Sequence, residues 1–132
     1  MDIDIPEVVA EVAEAFARYE QALVSNDVPA LEGLFFDDPR TIRFGGGENL
    51  YGMDAIRAFR RARSPLGLMR ELSETVITTY GRDFAVASTL FARESGPGLL
   101  GRQQQTWVRF DQGWRVVAAH VSTIPKPPDD AF

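Results

Sequence analysis

The sequence predicts an α+β domain in which the helices come first and an antiparallel sheet follows. Three observations predict it. Apolar residues recur every three or four positions from Val8 to Leu23, the period of one buried helical stripe. From residue 68 onward the chain turns rich in Val, Ile, Thr, Phe and Trp. Short turn sequences, "GRD", "SGPG" and "DQG", divide that second part into four long strands. Helices grouped ahead of strands make an α+β pattern, whereas parallel-sheet proteins alternate the two.

Each element follows in order. Asp4 with Glu7 reads as a capping box, and Pro6 fits a first helical turn. Val8, Val12, Phe16, Tyr19 and Leu23 then form the stripe, and "SND" ends the helix. Asp27 caps a second, short helix with Pro29 in its first turn and Leu31, Leu34 and Phe35 inward. "DDP" closes that helix and opens a strand in which Ile42 and Phe44 share one face while Thr41 and Arg43 share the other. Arg43 therefore faces either solvent or a cavity. Gly45-Gly46-Gly47 before "ENLYG" predicts a hairpin, and the missing Lys-Ser or Lys-Thr makes it a poor phosphate loop. A third helix fits residues 53 to 63 with Ala55, Ile56 and Phe59 inward, stopped by "SPLG". The four strands fall at 68–80, 83–93, 101–111 and 113–124, and the first helix must cover one face of a strongly bent sheet. Residues 1–124 form a single domain, and the proline-rich acidic stretch 125–132 reads as an extended tail.

Composition narrows the function. With 132 residues, 45% hydrophobic and 25% charged, the chain is that of one soluble globular domain. A net charge of -5 opposes nucleic-acid binding, no segment approaches a membrane span, and the acidic start "MDIDIPE" lacks signal-peptide features. The absence of cysteine excludes a disulfide framework, a thiol nucleophile and a thiolate metal site. A cytoplasmic location is expected. One basic run, "RAFRRAR", holds Arg57, Arg60, Arg61 and Arg63, and reads first as a solvated helix face and second as an anion-attracting rim.

Several side chains are candidates for chemistry. Tyr19 lies on the apolar stripe, so its hydroxyl enters the interior, there to meet a backbone carbonyl or to serve a site. Arg43 pairs with Glu48, lies exposed, or joins Tyr19 in one hollow. His120, the only histidine, is either a hydrogen-bonded structural residue or an acid-base group. Strict alternation puts it on one face with Trp114, Val116, Ala118, Ser122 and Ile124. In "GRQQQTWVRF", Gln103, Gln105 and Trp107 share one face and Arg102, Gln104 and Thr106 the other, and either set suits a polar pocket or a solvated edge. Arg93 reads as a rim residue. One histidine without a carboxylate cluster at ligand spacing predicts no metal, and no G-x-S-x-G elbow is present.

The arrangement resembles the nuclear-transport-factor-2-like, or SnoaL-like, superfamily. "FDQGWRVVAAHVS" is similar to its final hairpin. "YEQALVSNDVPALEGLFFDDPRTIRFG", "YGMDAIRAFRRAR" and "GRQQQTWVRFDQGWRVVAAHVS" resemble, more narrowly, the AtzH-like family, over roughly residues 5 to 124. The resemblance implies a cystatin-like cone, in which a curved mixed β-sheet is covered by three N-terminal helices. It also implies a metal-independent, cofactor-free decarboxylase of a small N-carboxyurea, such as 1,3-dicarboxyurea going to allophanate, in cyanuric acid or oxalurate breakdown. On that reading Tyr19 and Arg43 are catalytic, and His120, Ser122, Gln105 and Trp107 bind a small anionic substrate. A homodimer and a functional partnership with an amidase are further expectations. Two alternatives stay open: a non-catalytic small-acid-binding or accessory protein, and an isomerase or dehydratase, which needs an inward carboxylate.

Overall fold

The apolar stripe of the first helix becomes the lid of a sheet. α1 (Pro6–Val24) buries Val8, Val12, Phe16, Tyr19 and Leu23, with Ala15 and Ala22 filling the gaps between them. The computed structural model describes residues 1–128. Its helix start differs from the expected capping box. The N-cap is Ile5, without a side-chain cap. Asp4 instead sits at a φ of 59° and accepts a hydrogen bond from the Thr79 amide at 2.9 Å, because its neighbours pair with a strand. The carboxylate is thus spent on the sheet, not the helix.

α2 (Val28–Leu34) begins as expected, with the Asp27 carboxylate accepting from the Ala30 amide at 3.2 Å, and buries Leu31 and Leu34. β1 (Ile42–Phe44) and β2 (Asn49–Tyr51) form the glycine hairpin. α3 (Met53–Ala62) buries Met53, Ile56 and Arg60, spaced three and four apart, while Ala55 and Phe59 are only half-buried. The four long strands are β3 (Glu71–Tyr80), β4 (Phe84–Ala92), β5 (Leu99–Phe110) and β6 (Gly113–Pro125).

The six strands form one sheet in the order β2-β1-β6-β5-β4-β3. Every neighbouring pair is antiparallel except β1 and β6, so the sheet is mixed, and with its three helices the molecule has the expected α+β cone architecture. Two irregularities bend it. Between Ser73 and Val76 the register of β3 slips, with Glu74 at a φ of 52°. In β6, Thr106 faces Ala118 but Trp107 faces Val116, leaving Val117 as an extra residue. The second bulge reverses the alternation of β6, so Trp114, Val116 and Ala119 all face the helices.

The core lies between the helices and this inner face, around Phe16, Leu31, Phe35, Ile56, Trp107 and Val116. Burying a large apolar side chain of this kind contributes roughly 1.5–3 kcal/mol. At the C-terminus, Pro125 ends β6 and the Lys126 amide donates to the Gly98 carbonyl at 2.7 Å. Of the tail expected at 125–132, residues 129–132 lie outside the described residues. Among the described residues no helix is long and apolar enough to cross a membrane.

Candidate functional site

Strand alternation settles the direction of Arg43. Thr41 and Arg43 are buried on the helix-covered face, while Ile42 and Phe44 line a shallow hollow on the other side. Arg43 is 6% exposed, lies 5.2 Å from the centroid of the Phe59 ring, and donates through Nη1 to Glu48 at 2.9 Å. Both expectations for it therefore hold at once: it enters the interior, and it pairs with Glu48. Its Nε remains unpartnered. Gly45 makes this pairing possible, since a Cβ there would fall on the Glu48 carboxylate.

Tyr19 comes to the same place from α1. It is 2% exposed, with Phe35 packed beside its ring at 6.1 Å. The charges around it are guanidiniums. Arg60 stands 5.8 Å from the Tyr19 ring centroid and 4.6 Å from that of Phe35. Burial pushes the phenol pKa up, but the positive fields of Arg60, then Arg43 and, more weakly, Arg70 outweigh it, so the pKa is lowered from the ordinary 10.0.

The basic run of α3 corrects the reading as a solvated face. Arg60 follows Ile56 by four residues and so continues the buried stripe of Met53 and Ile56, whereas Arg57 and Arg61 fall one position past Ile56 and Arg60. Arg57 and Arg61 stay outside and pair with Glu32, Asp37 and Asp54. Arg60 turns inward, is 1% exposed, and favours ionisation of the Tyr19 hydroxyl by its charge and by hydrogen bonding. Arg63 is half-buried with Nε and Nη2 unpartnered, and its pKa is lowered to about 10 by burial and by the Arg60 charge.

β3, β4 and β5 supply the opposite wall. Arg70 is bound by Glu20 at 2.6 and 2.9 Å and by the Gln103 carbonyl at 2.9 Å, over the Phe91 ring. Arg93, expected at a rim, is half-buried over the same ring at 4.7 Å, and burial followed by the Arg70 charge lowers its pKa. Gln103, Gln105 and Trp107 face inward; the Trp107 indole donates to Gln105 at 3.1 Å. Glu20 and Glu48 are the carboxylates that reach this group. Sequence reasoning did not select Glu20 or Arg70, and it weighed Arg60 and Arg63 only as members of a basic run that reads second as an anion-attracting rim.

His120 and Ser122 are placed elsewhere. The Val117 bulge inverts the strand before it reaches them, so they face outward, away from Tyr19 and Arg43. His120 is exposed, edge-on to Phe44, and Ser122 accepts from Arg102 at 3.2 Å. Both border an open hollow of about 1100 Å³ on the uncovered face, with Ser88, Leu90 and Gln104.

A bent mixed sheet with three helices packed over one face, and buried polar side chains between them, is the cystatin-like architecture that nuclear-transport-factor-2-like proteins share. A superfamily member from Salmonella enterica shares that fold, with a TM-score of 0.71, 24% identity, and coverage of 96% of this chain and 97% of that one. The AtzH-like family model matches residues 1–127, and the chain belongs to the AtzH-like family. It is 56% identical to a protein of unknown function from the DUF3225 family of Pectobacterium atrosepticum, over 93% of this chain and 95% of that one, with a TM-score of 0.91. A cystatin-like fold protein from Burkholderia xenovorans is 48% identical, with a TM-score of 0.93, over 96% and 99% of the two chains. Comparison with curated proteins finds no match.

Proposed function

We propose that the protein is a cofactor-independent decarboxylase of a small N-carboxyurea, with 1,3-dicarboxyurea going to allophanate as the representative reaction. The observation that carries the reading is a buried phenol in the field of guanidiniums that keep free N–H groups. In the reaction the bond between carbon and nitrogen breaks, carbon dioxide leaves, and the bonding pair stays on nitrogen. That nitrogen takes the proton of the Tyr19 hydroxyl, and solvent restores the phenol. A positioned general acid contributes typically a hundredfold or more.

The role of Arg43 follows from charge. Decarboxylation turns a carboxylate into a neutral molecule, so a cation gripping the departing group favours the ground state over the transition state. Arg43 therefore holds the retained carboxylate or the urea oxygen, with Glu48 fixing one arm of its fork. Gln105 and Trp107 shape the wall beside it. Purified Tyr19→Phe and Arg43→Ala proteins, folded by circular dichroism, should release carbon dioxide and allophanate from 1,3-dicarboxyurea near background, at least about a hundredfold below wild type; undiminished turnover would remove the assignment.

The same cup also suits a binding protein without chemistry, and the carbon dioxide assay on the wild-type chain separates the two. As part of this reading the chain acts in the cytoplasm beside an amidase that consumes its product. It pairs as a homodimer through the uncovered sheet face, where Tyr51 and Val76 are 66% and 58% exposed.

A further inference from the structure

Tyr19, Arg43, Arg60 and Gln105 are closed off from solvent, at 2%, 6%, 1% and 1% exposure, so a small molecule reaches them only where the surrounding chain moves aside. The half-buried arginines mark where solvent comes nearest. Arg63 caps the end of α3 and Arg93 follows β4, and both sense the charge of Tyr19. Each leads straight into an exposed connection. Residues 64–69 run from Arg63 to Arg70, so an arginine of the site stands at either end, and Ser64, Pro65, Leu66, Gly67 and Met69 are exposed. Leu68 alone turns in, buried but outside the main core cluster. Residues 94–98 meet this stretch from the Arg93 side, where the Ser95 hydroxyl donates to the Gly67 carbonyl at 2.9 Å. Gly67 and Gly98, at φ values of 72° and 80°, let the two connections turn sharply.

We propose that residues 64–69 form a strap over the site, fastened by the Leu68 side chain and the Ser95 to Gly67 hydrogen bond, and that a guest passes between this strap and residues 94–98. The fastening is light. One leucine and one exposed hydrogen bond hold the strap, whereas α1 is held by seven buried residues. A segment with few buried contacts opens locally while the rest of the fold stays intact. Other ways in are held more firmly: β1 is paired on both sides, by β2 and by β6, and Glu20 ties α1 to Arg70. That tie also fixes one end of the strap, which swings from Arg70. The inference rests on reading the buried phenol and guanidiniums as a site that a small molecule must reach, and not on the decarboxylation step.

The chain has no cysteine, so Gly67→Cys with Ser95→Cys introduces a single possible cross-link. A Cβ on Gly67 stands 3.0 Å from the Ser95 Cβ, and a small outward shift gives the roughly 3.5–4.5 Å of a disulfide. The readout is the rate at which Tyr19 ionises after a rapid jump to pH 10.0, followed by ultraviolet absorbance and identified by its absence in Tyr19→Phe. Oxidising the pair should slow this phase at least about tenfold, together with turnover of 1,3-dicarboxyurea, and reductant should restore both. Because the φ at Gly67 disfavours cysteine, Leu68→Ala supplies a second variant: it loosens the strap and should speed the phase at least about tenfold. A wild-type Tyr19 phase complete within the mixing time, or a rate that neither the cross-link nor Leu68→Ala changes, overturns the inference. A gated phase in a wild-type protein that releases no carbon dioxide supports the strap while defeating the decarboxylase. Carbon dioxide release that the cross-link leaves unchanged does the reverse.

Discussion

Tyr19 sits where burial and charge pull its ionisation in opposite directions, and charge wins. The fold therefore favours the phenolate relative to the unfolded chain. Its contribution to stability is complete above the ordinary phenol value of 10.0 and disappears as pH falls through the depressed folded value. An ultraviolet titration should show a tyrosinate component appearing below the ordinary range, absent in Tyr19→Phe and moved upward in Arg60→Met. A wild-type curve without that early component would contradict the arrangement. If Tyr19 donates its proton in turnover, the alkaline limb of the rate profile should begin below 10.0 for the same reason. Tyr19 and Arg43 were legible in the sequence because helical period and strand alternation point each of them inward. Arg60 was not, because it shares a run with three other arginines and its residue type reads as surface, although its spacing from Ile56 is that of the buried face. His120 and Ser122 were misplaced because alternation was extended across Val117, where one extra residue reverses it.

At the scale of elements, β4 and β5 hold two arginines with one ring. A Cβ on Gly101 would occupy the space of the Phe91 ring, which carries Arg70 on one contact and Arg93 on another. Gly101→Ala should lower stability by about 1–3 kcal/mol, as overpacked sites do. An unchanged denaturation midpoint would show that the ring moves freely. The tie between α1 and β3 is the pair of Glu20 and Arg70, whose arginine side chain is 1% exposed. Removing the acid in Glu20→Gln leaves that charge buried without its partner, and breaking a buried pair from one side costs about 3–5 kcal/mol in chemical denaturation. Helix and strand order, the Asp27 cap and the glycine hairpin could all be read from local pattern. This tie could not, because 50 residues separate its ends.

Over the whole molecule, charge is sorted by depth: the chain carries a net -5, yet its cup concentrates cations. The uncovered face is of another kind, with half-buried Ile42, Phe44 and Leu90 near exposed Tyr51 and Val76. If that face joins two copies, Leu90→Glu should shift sedimentation from dimer to monomer; a wild-type monomer at micromolar concentration would end the dimer proposal.

The first residues of the chain have a consequence for handling the protein. Ile3 bridges Tyr80, the Asp4 amide donates to the Thr79 carbonyl at 3.0 Å, and the Gly81 amide donates to Asp2 at 2.8 Å. They shield the end of β3, the outermost long strand, whose open N–H and C=O groups otherwise invite another chain. Trimming residues 1–4 should yield material that folds and then slowly associates edge to edge, so a purification tag belongs at the opposite end.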